Sequence, residues 1–279
     1  VTGTNDAPVA RPDGVHLSFD GTDYVRVADD ASLQVTGSNT VTMEAWINHD
    51  GTGTGSQLIV NKEGEYELGI TADTGEIKFA IALPGNTWSW HNTGHFVTAG
   101  EWTHVAVSFD GSFARTYING QLVDEFAQAG PIGEVYPTYD SLTIGGRENA
   151  TDQRFTGQID EVRVWRDART QGEIQGAMNG LLAGTEPDLA GYWRLDEFAS
   201  GTVVDYSGNG NDGVFGSGLE APVYQGYATN QDSVLSVVAG SGVLANDSDA
   251  DGDSLVVSAV NGNAGDVGSQ IALGSGALL

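Results

Sequence analysis

Apolar and polar residues alternate through much of this chain, and the alternation predicts strands. In Val41-Thr42-Met43-Glu44-Ala45-Trp46-Ile47, the residues 41, 43, 45 and 47 fall on one face and Thr42, Glu44 and Trp46 on the other. Val105, Val107 and Phe109 repeat the pattern with His104 opposite, and Leu17 and Phe19 alternate with polar residues before an Asp20-Gly21-Thr22-Asp23 turn. Further strands are predicted over Glu65–Ile70, Ile77–Leu83, Leu142–Ile144 and Leu189–Leu195. In Gly157–Trp165 the period places Asp160 with Val162 and Val164, and Glu161, Arg163 and Trp165 opposite. A carboxylate on such a core face has to be paired, hydrogen-bonded or metal-bound, because burying it bare costs several kcal/mol.

Two local signals punctuate these strands. Asn119-Gly120 tolerates the positive φ of a type I′ turn and predicts a hairpin over 115–126. Thr170, with Glu173 three residues on, predicts a capped short helix over 170–179, although Gly172 and Gly176 weaken it. Many short strands joined by tight turns, with 40 glycines in 279 residues, give an all-β reading.

Composition narrows the function classes. The formal net charge is -27, from 11 Lys+Arg against 38 Asp+Glu. That balance argues against nucleic acid, which needs a basic surface to displace counterions, and against anionic lipid. It suits a calcium-rich medium in which divalent ions neutralise carboxylates. The absence of cysteine excludes disulfides, thiol catalysis and cysteine-ligated zinc. No apolar run approaches the roughly 20 residues that span a bilayer. The chain begins mid-pattern at Val1 and reads as an excised piece of a larger protein.

The two ends differ in texture from the middle. Residues 1–13 read as an extended linker with Pro8 and Pro12. From Ala221 the composition shifts, and Asp247, Asp249, Asp251 and Asp253 crowd a glycine-containing turn at Gly252. Alternate oxygens on such a turn can converge on calcium, although the twelfth position is Ser258, which excludes a full EF-hand.

Five segments carry a family resemblance. Leu17–Val25, Val41–Ile47, Trp102–Val107, Tyr117–Gly120 and Phe155–Trp165, in that order, resemble laminin-G-like, concanavalin A-like lectin domains, a group to which the pentraxins are related. The resemblance covers residues 14–220 and implies a concanavalin A-like jelly-roll β-sandwich. The flanks resemble cadherin-like repeats of large bacterial surface adhesins, with 221–279 as a partial second β-sandwich segment. This implies a calcium-dependent carbohydrate-binding module, extracellular and on the bacterial surface, beside other adhesin repeats. Protein binding, a spacer role and glycoside hydrolysis are the alternatives.

Within the lectin-like segment, Asp20, Asp23, Asp160, Asp205, Asn209 and Asn211 are candidates for structural calcium, an ion that takes about six to eight oxygens from several loops. Asn61, Glu63 and Glu65, with Glu148, Asn149, Asp152, Gln153 and Arg154, loosely correspond to pentraxin loops that bear calcium and ligand. Trp88 and Trp90 offer indoles to the C–H faces of a sugar, with His91 and Asn92 as polar neighbours. Asn149, Asp152, Glu63 and Glu148 offer partners to its hydroxyls. Glu63, Glu65 and Glu67 alternate as hydrolase carboxylates do, but no Gly-x-Ser-x-Gly elbow and no metalloprotease histidine spacing occurs, so no enzyme is expected.

Overall fold

The computed structural model describes residues 16–83, 87–138, 140–148, 152–196, 201–216 and 223–225. They lie in one compact unit, Val15–Gly226, so the Asp247, Asp249, Asp251 and Asp253 turn and the linker over 1–13 lie outside the described residues. The strands in chain order are β1 (His16–Asp20), β2 (Val25–Val27), β3 (Val41–His49), β4 (Ser56–Lys62), β5 (Tyr66–Thr71), β6 (Glu76–Ile81), β7 (His91–Phe96) and β8 (Thr103–Phe109). There follow β9 (Phe113–Ile118), β10 (Gln121–Ala127), β11 (Leu142–Ile144), β12 (Thr156–Trp165), helix α1 (Gln171–Ala177), β13 (Leu189–Trp193), β14 (Thr202–Val203), β15 (Gly213–Phe215) and β16 (Val223–Gln225).

Two antiparallel sheets form a sandwich. The first runs β10-β9-β8-β3-β12-β1-β16, with β13 also paired to β12, and the second runs β14-β15-β2-β11-β4-β5-β6-β7. β16 lies beyond the 220 boundary of the lectin-like segment, yet it pairs with His16–Ser18 as an edge strand of the first sheet. The core between the sheets takes Met43, Ala45, Ile47, Val105, Val107 and Val164 from one side and Val25, Val60, Leu68, Ile77, Phe79 and Leu142 from the other. For β3 and β8 these are the apolar faces that strict alternation assigns.

Strand β12 departs from the period. Asp160 pairs with Trp46 and Arg163 with Glu44, so Glu161 and Val162 together oppose Ala45 alone. This is a β-bulge, with Glu161 at φ 51°, a backbone state uncommon for a side-chain-bearing residue. The extra residue resets the alternation, so that Ile159 and Val162 both enter the core. Asp160 therefore does not share a face with Val162 and Val164. It sits on the Trp46 side, buried, and its Oδ1 accepts from Glu161 N at 3.0 Å.

Helix α1 forms where the cap predicts it. Thr170 accepts from Glu173 N while the Glu173 carboxylate accepts from Thr170 N at 2.8 Å, a reciprocal capping box. Ile174 packs on Ala106 and Tyr117, which lays the helix across the outer face of the first sheet. At the hairpin tip, Asn119 and Gly120 have φ 48° and 71°, as a type I′ turn requires. A Cβ on Gly120 would come within 2.7 Å of Gln175 Cγ, so glycine also lets the helix approach the tip.

Candidate functional site

The sandwich has two outer faces, and the first is closed. Glu44, Trp46, Glu161, Arg163, Trp165 and Tyr192 lie there beneath α1 and the segment after it, all buried. Arg163 Nη2 donates to Glu161 at 2.6 Å and to Gly180 O at 2.7 Å, and Nη1 donates to Ala177 O at 2.9 Å. Tyr192 Oη reaches Glu161 at 2.7 Å, Trp165 Nε1 donates to Glu44 at 2.9 Å, and Trp46 Nε1 donates to Met178 O at 2.7 Å. Burial would raise the Glu44 pKa, but His104, the Arg163 charge and the Trp165 N–H outweigh it and hold Glu44 at about 2. These partners fasten the helix segment to the sheet and fill the space beneath it.

The outer face of the second sheet is different. Register places Arg26 opposite Thr143, Thr143 opposite Asn61, Asn61 opposite Glu67 and Glu67 opposite Ala80, a polar row that ends at Ala80. Asn61 Nδ2 donates to Thr143 Oγ1 at 3.0 Å. Over this floor lies Arg147, with Nε 2.6 Å from Glu63 and Nη2 2.8 Å from Glu67. Burial, then the Glu63 charge and a hydrogen bond shared with it, push Glu67 up to about 8 despite the opposing guanidinium. Burial also raises Glu63, with Arg147 pulling the other way. Arg26 holds Glu148 at 2.8 Å, and Ser141 donates to the same carboxylate.

The same face carries polar residues on β6 and β7, one ladder step along from Ala80. Lys78 opposes Gly69 and Asn92, and its ammonium lies 5.2 Å from the centre of the Trp90 ring. Trp90 is half-buried. Asn92 is exposed and donates to Glu76 at 3.1 Å. Burial lowers the Lys78 pKa, while Glu76 and Glu67 act against that.

Of the ligand residues expected from sequence, Glu63, Glu148, Trp90 and Asn92 thus share this face. His91 does not. It opposes Phe79 and stacks on Phe126 at 4.0 Å, with Nε2 2.9 Å from Asp124, so it closes the sandwich edge. Strand β7 begins only at His91, so a strand period does not align Trp88 with Trp90. Asp152 is exposed next to Gln153, whose carbonyl accepts from Leu58 N at 3.2 Å. Leu58 and Glu63 are about 16 Å apart by strand rise, so Asp152 and Glu63 stand at opposite ends of β4. Asn149 lies outside the described residues. Glu65 leaves the Glu63 and Glu67 side: the turn at Gly64, φ 80°, sends it to accept from Val35 N at 3.0 Å.

The calcium candidates fall in three separate places. Asp205 accepts from Tyr192 N, Ser207 N, Ser207 Oγ and Asn211 N at 2.8–3.0 Å. Asn209 and Asn211 turn their amide N–H groups onto Leu189 O, Ala190 O and Ser32 Oγ. Four donors already engage the Asp205 carboxylate, and this turn does not fit an ion. Asp160 is on the roofed face of the first sheet. Asp20 and Asp23 stay together in the β1–β2 turn, where Asp23 Oδ1 accepts from Asp20 N at 3.2 Å. Burial and then the Asp20 charge raise Asp23 to about 6, a repulsion that a cation would relieve. Among the described residues no group of three or more His, Cys, Asp or Glu is placed to hold a metal ion.

A family model of the concanavalin A-like lectin/glucanases superfamily matches residues 19–175, more than half of the chain. The chain belongs to that superfamily. Among solved structures, a Bacteroides ovatus protein assigned to carbohydrate binding matches with TM-score 0.59 and 22 % identity, over 75 % of this chain and 61 % of that one. A domain of an extracellular arabinanase from Geobacillus stearothermophilus, in complex with arabinotriose, matches with TM-score 0.45 and 18 % identity, over 63 % of this chain and 90 % of that one. Mouse pappalysin-1 is 33 % identical over 83 residues, which is 28 % of this chain and 5 % of pappalysin-1.

Two residues of this face escape a sequence reading: Arg147 and Lys78. The available signal is scarcity, since the chain holds only two lysines, Lys62 and Lys78, and one of them sits opposite the apolar Ile77 and Phe79 positions of β6.

Proposed function

We propose that this chain is a noncovalent carbohydrate-binding module whose ligand lies along the outer face of the second sheet, at Trp90 and Asn92 and toward Arg147 and Glu148. The observation that carries this reading is the half-buried Trp90 over Lys78, on the same face as that polar row. An indole covers the apolar C–H face of a pyranose, while amides, carboxylates and guanidinium groups take its hydroxyls. Membership of a lectin/glucanase superfamily and the fold shared with the Bacteroides ovatus protein support the same direction. Binding is favoured over hydrolysis because Glu63 and Glu67 both lean on Arg147 and Glu67 is fully buried. A glycosidase pair needs to flank the scissile bond.

A glycan array tests this. The expected result is binding to at least one glycan class, weak at a single site, with Trp90→Ala losing about tenfold or more at an unchanged melting temperature. An array without any bound glycan would remove the reading.

Calcium enters this proposal as a stabilising ion at the Asp20 and Asp23 turn. Millimolar calcium is expected to raise the melting temperature by about 2–4 °C over chelator, since an ion that binds only the folded state stabilises by mass action. Asp23→Asn should abolish the difference, and identical melting in calcium and chelator would discard the ion. The charge of -27 suits a calcium-rich extracellular surface-adhesin setting, with neighbouring repeats as partners in the same protein.

A further inference from the structure

Lys78 differs from most of the described basic residues. The chain carries 38 carboxylates for 11 basic groups, so partners for a cation are plentiful. Arg26, Lys62, Arg115, Arg147, Arg163, Arg169 and Arg194 each have a carboxylate within 4 Å. Lys78 is only 8 % exposed, and among the described residues it makes no ion pair and no hydrogen bond. Its ammonium lies 5.2 Å from the centroid of the Trp90 ring, and Glu76 and Glu67 act on it only from beyond ion-pair distance. A mostly buried lysine whose closest partner is an aromatic ring is less well compensated than a cation in a contact ion pair, because such ring contacts stabilise by about 0.5–2 kcal/mol. An arriving anion would therefore gain more here than at any of those paired cations.

We infer that Lys78 is a specificity-determining residue of the glycan site, and that the site prefers a sugar bearing a carboxylate, held by the Lys78 ammonium beside the Trp90 indole. This rests on the carbohydrate reading above and names its ligand class. Three features fit such a sugar. Trp90 offers ring surface to its C–H face. Asn92, the ladder partner of Lys78, presents an exposed amide to a hydroxyl. Glu67 also lies on this face, and with its pKa near 8 it is largely uncharged at neutral pH, so it does not repel the incoming carboxylate. The overall charge of -27 opposes dense polyanions at long range, so the favoured ligand is a neutral oligosaccharide carrying an isolated acidic residue rather than a polyuronate.

The test compares ligands as well as variants. Oligosaccharides ending in glucuronic acid, galacturonic acid or sialic acid are titrated calorimetrically beside the same oligosaccharides carboxyl-reduced to the alcohol. For at least one pair the acid form is expected to bind about tenfold tighter, the scale of a charge-assisted hydrogen bond. Lys78→Met keeps the apolar stem and should bring that ratio to one. Trp90→Ala should weaken both forms. If reduced and acid forms bind equally in every pair, or Lys78→Met keeps the preference at an unchanged melting temperature, the inference is wrong although the glycan reading stands. If neither form of any pair binds and the array is also empty, the glycan reading fails first and takes this inference with it.

Discussion

Replacing Arg163 by alanine is expected to lower the unfolding free energy by about 3–5 kcal/mol, the scale for removing one member of a buried ion pair. Arg163 is 1 % exposed and stands between two buried carboxylates, 2.6 Å from Glu161 and 3.7 Å from Glu44. It also fastens Ala177 O and Gly180 O at the end of α1. Its loss leaves two desolvated anions with less compensation and frees the helix that roofs the sheet. Arg163→Met separates charge from volume: if packing alone mattered, methionine would recover most of the loss. Acid adds an independent check. Glu44 sits at about 2 in the fold against 4.5 ordinarily, so its contribution is present above about pH 4.5 and is lost as pH falls toward 2. In Arg163→Ala that acid-dependent loss should shrink, because the guanidinium that helps depress Glu44 is gone. Urea unfolding at pH 7 and pH 3 measures both effects. A variant within about 0.5 kcal/mol of the parent at pH 7 would mean that the network does not carry the roof.

What the sequence makes legible follows from which physical signals are periodic or local. The β3 core face is readable because Val41, Met43, Ala45 and Ile47 alternate without interruption. The helix is readable because Thr170 and Glu173 form a local reciprocal cap. Strand β12 is misread at Asp160 because its period breaks at Glu161, and a bulge at a residue with an ordinary side chain leaves no mark in the sequence. The Asp205–Asn211 turn reads as a set of oxygens for an ion, but the same residue types also bind backbone N–H groups, and here they do. The candidate face is half legible. Trp90, Asn92, Glu63 and Glu148 stand out by type, whereas Arg147 gains meaning only when the β4–β5 turn brings Glu63 and Glu67 to one side and sends Glu65 to the other.

Arg147→Ala should destabilise the protein in a pH-dependent way, by about 2–3 kcal/mol at pH 8 and by less than about 1 kcal/mol at pH 5. The high-pH figure lies below the range for fully buried pairs because the Arg147 side chain is 23 % exposed. The guanidinium compensates Glu63 and Glu67, both of which burial raises above their ordinary 4.5, Glu67 to about 8. A carboxyl whose folded pKa lies above its unfolded value holds a proton that the unfolded chain releases. Its stabilisation is therefore complete below about pH 4.5 and is lost as pH rises through about 8. Without Arg147, Glu67 is still neutral at pH 5, and the cost is small. At pH 8 the pair either ionises without a cation or holds protons that the unfolded chain has released, and the cost is largest. Glu67→Gln removes the ionisation and keeps the shape, so it should flatten the decline of the parent between pH 5 and 8. Added to Arg147→Ala, it should recover part of the loss at pH 8 and almost none at pH 5, a coupling that a double-mutant cycle isolates. Equilibrium urea unfolding of the parent, both single variants and the double variant across pH 5–8.5 reads all of this. An Arg147→Ala cost that stays constant across the range would mean that the residue acts through packing and that the Glu63–Glu67 pair does not share its charge.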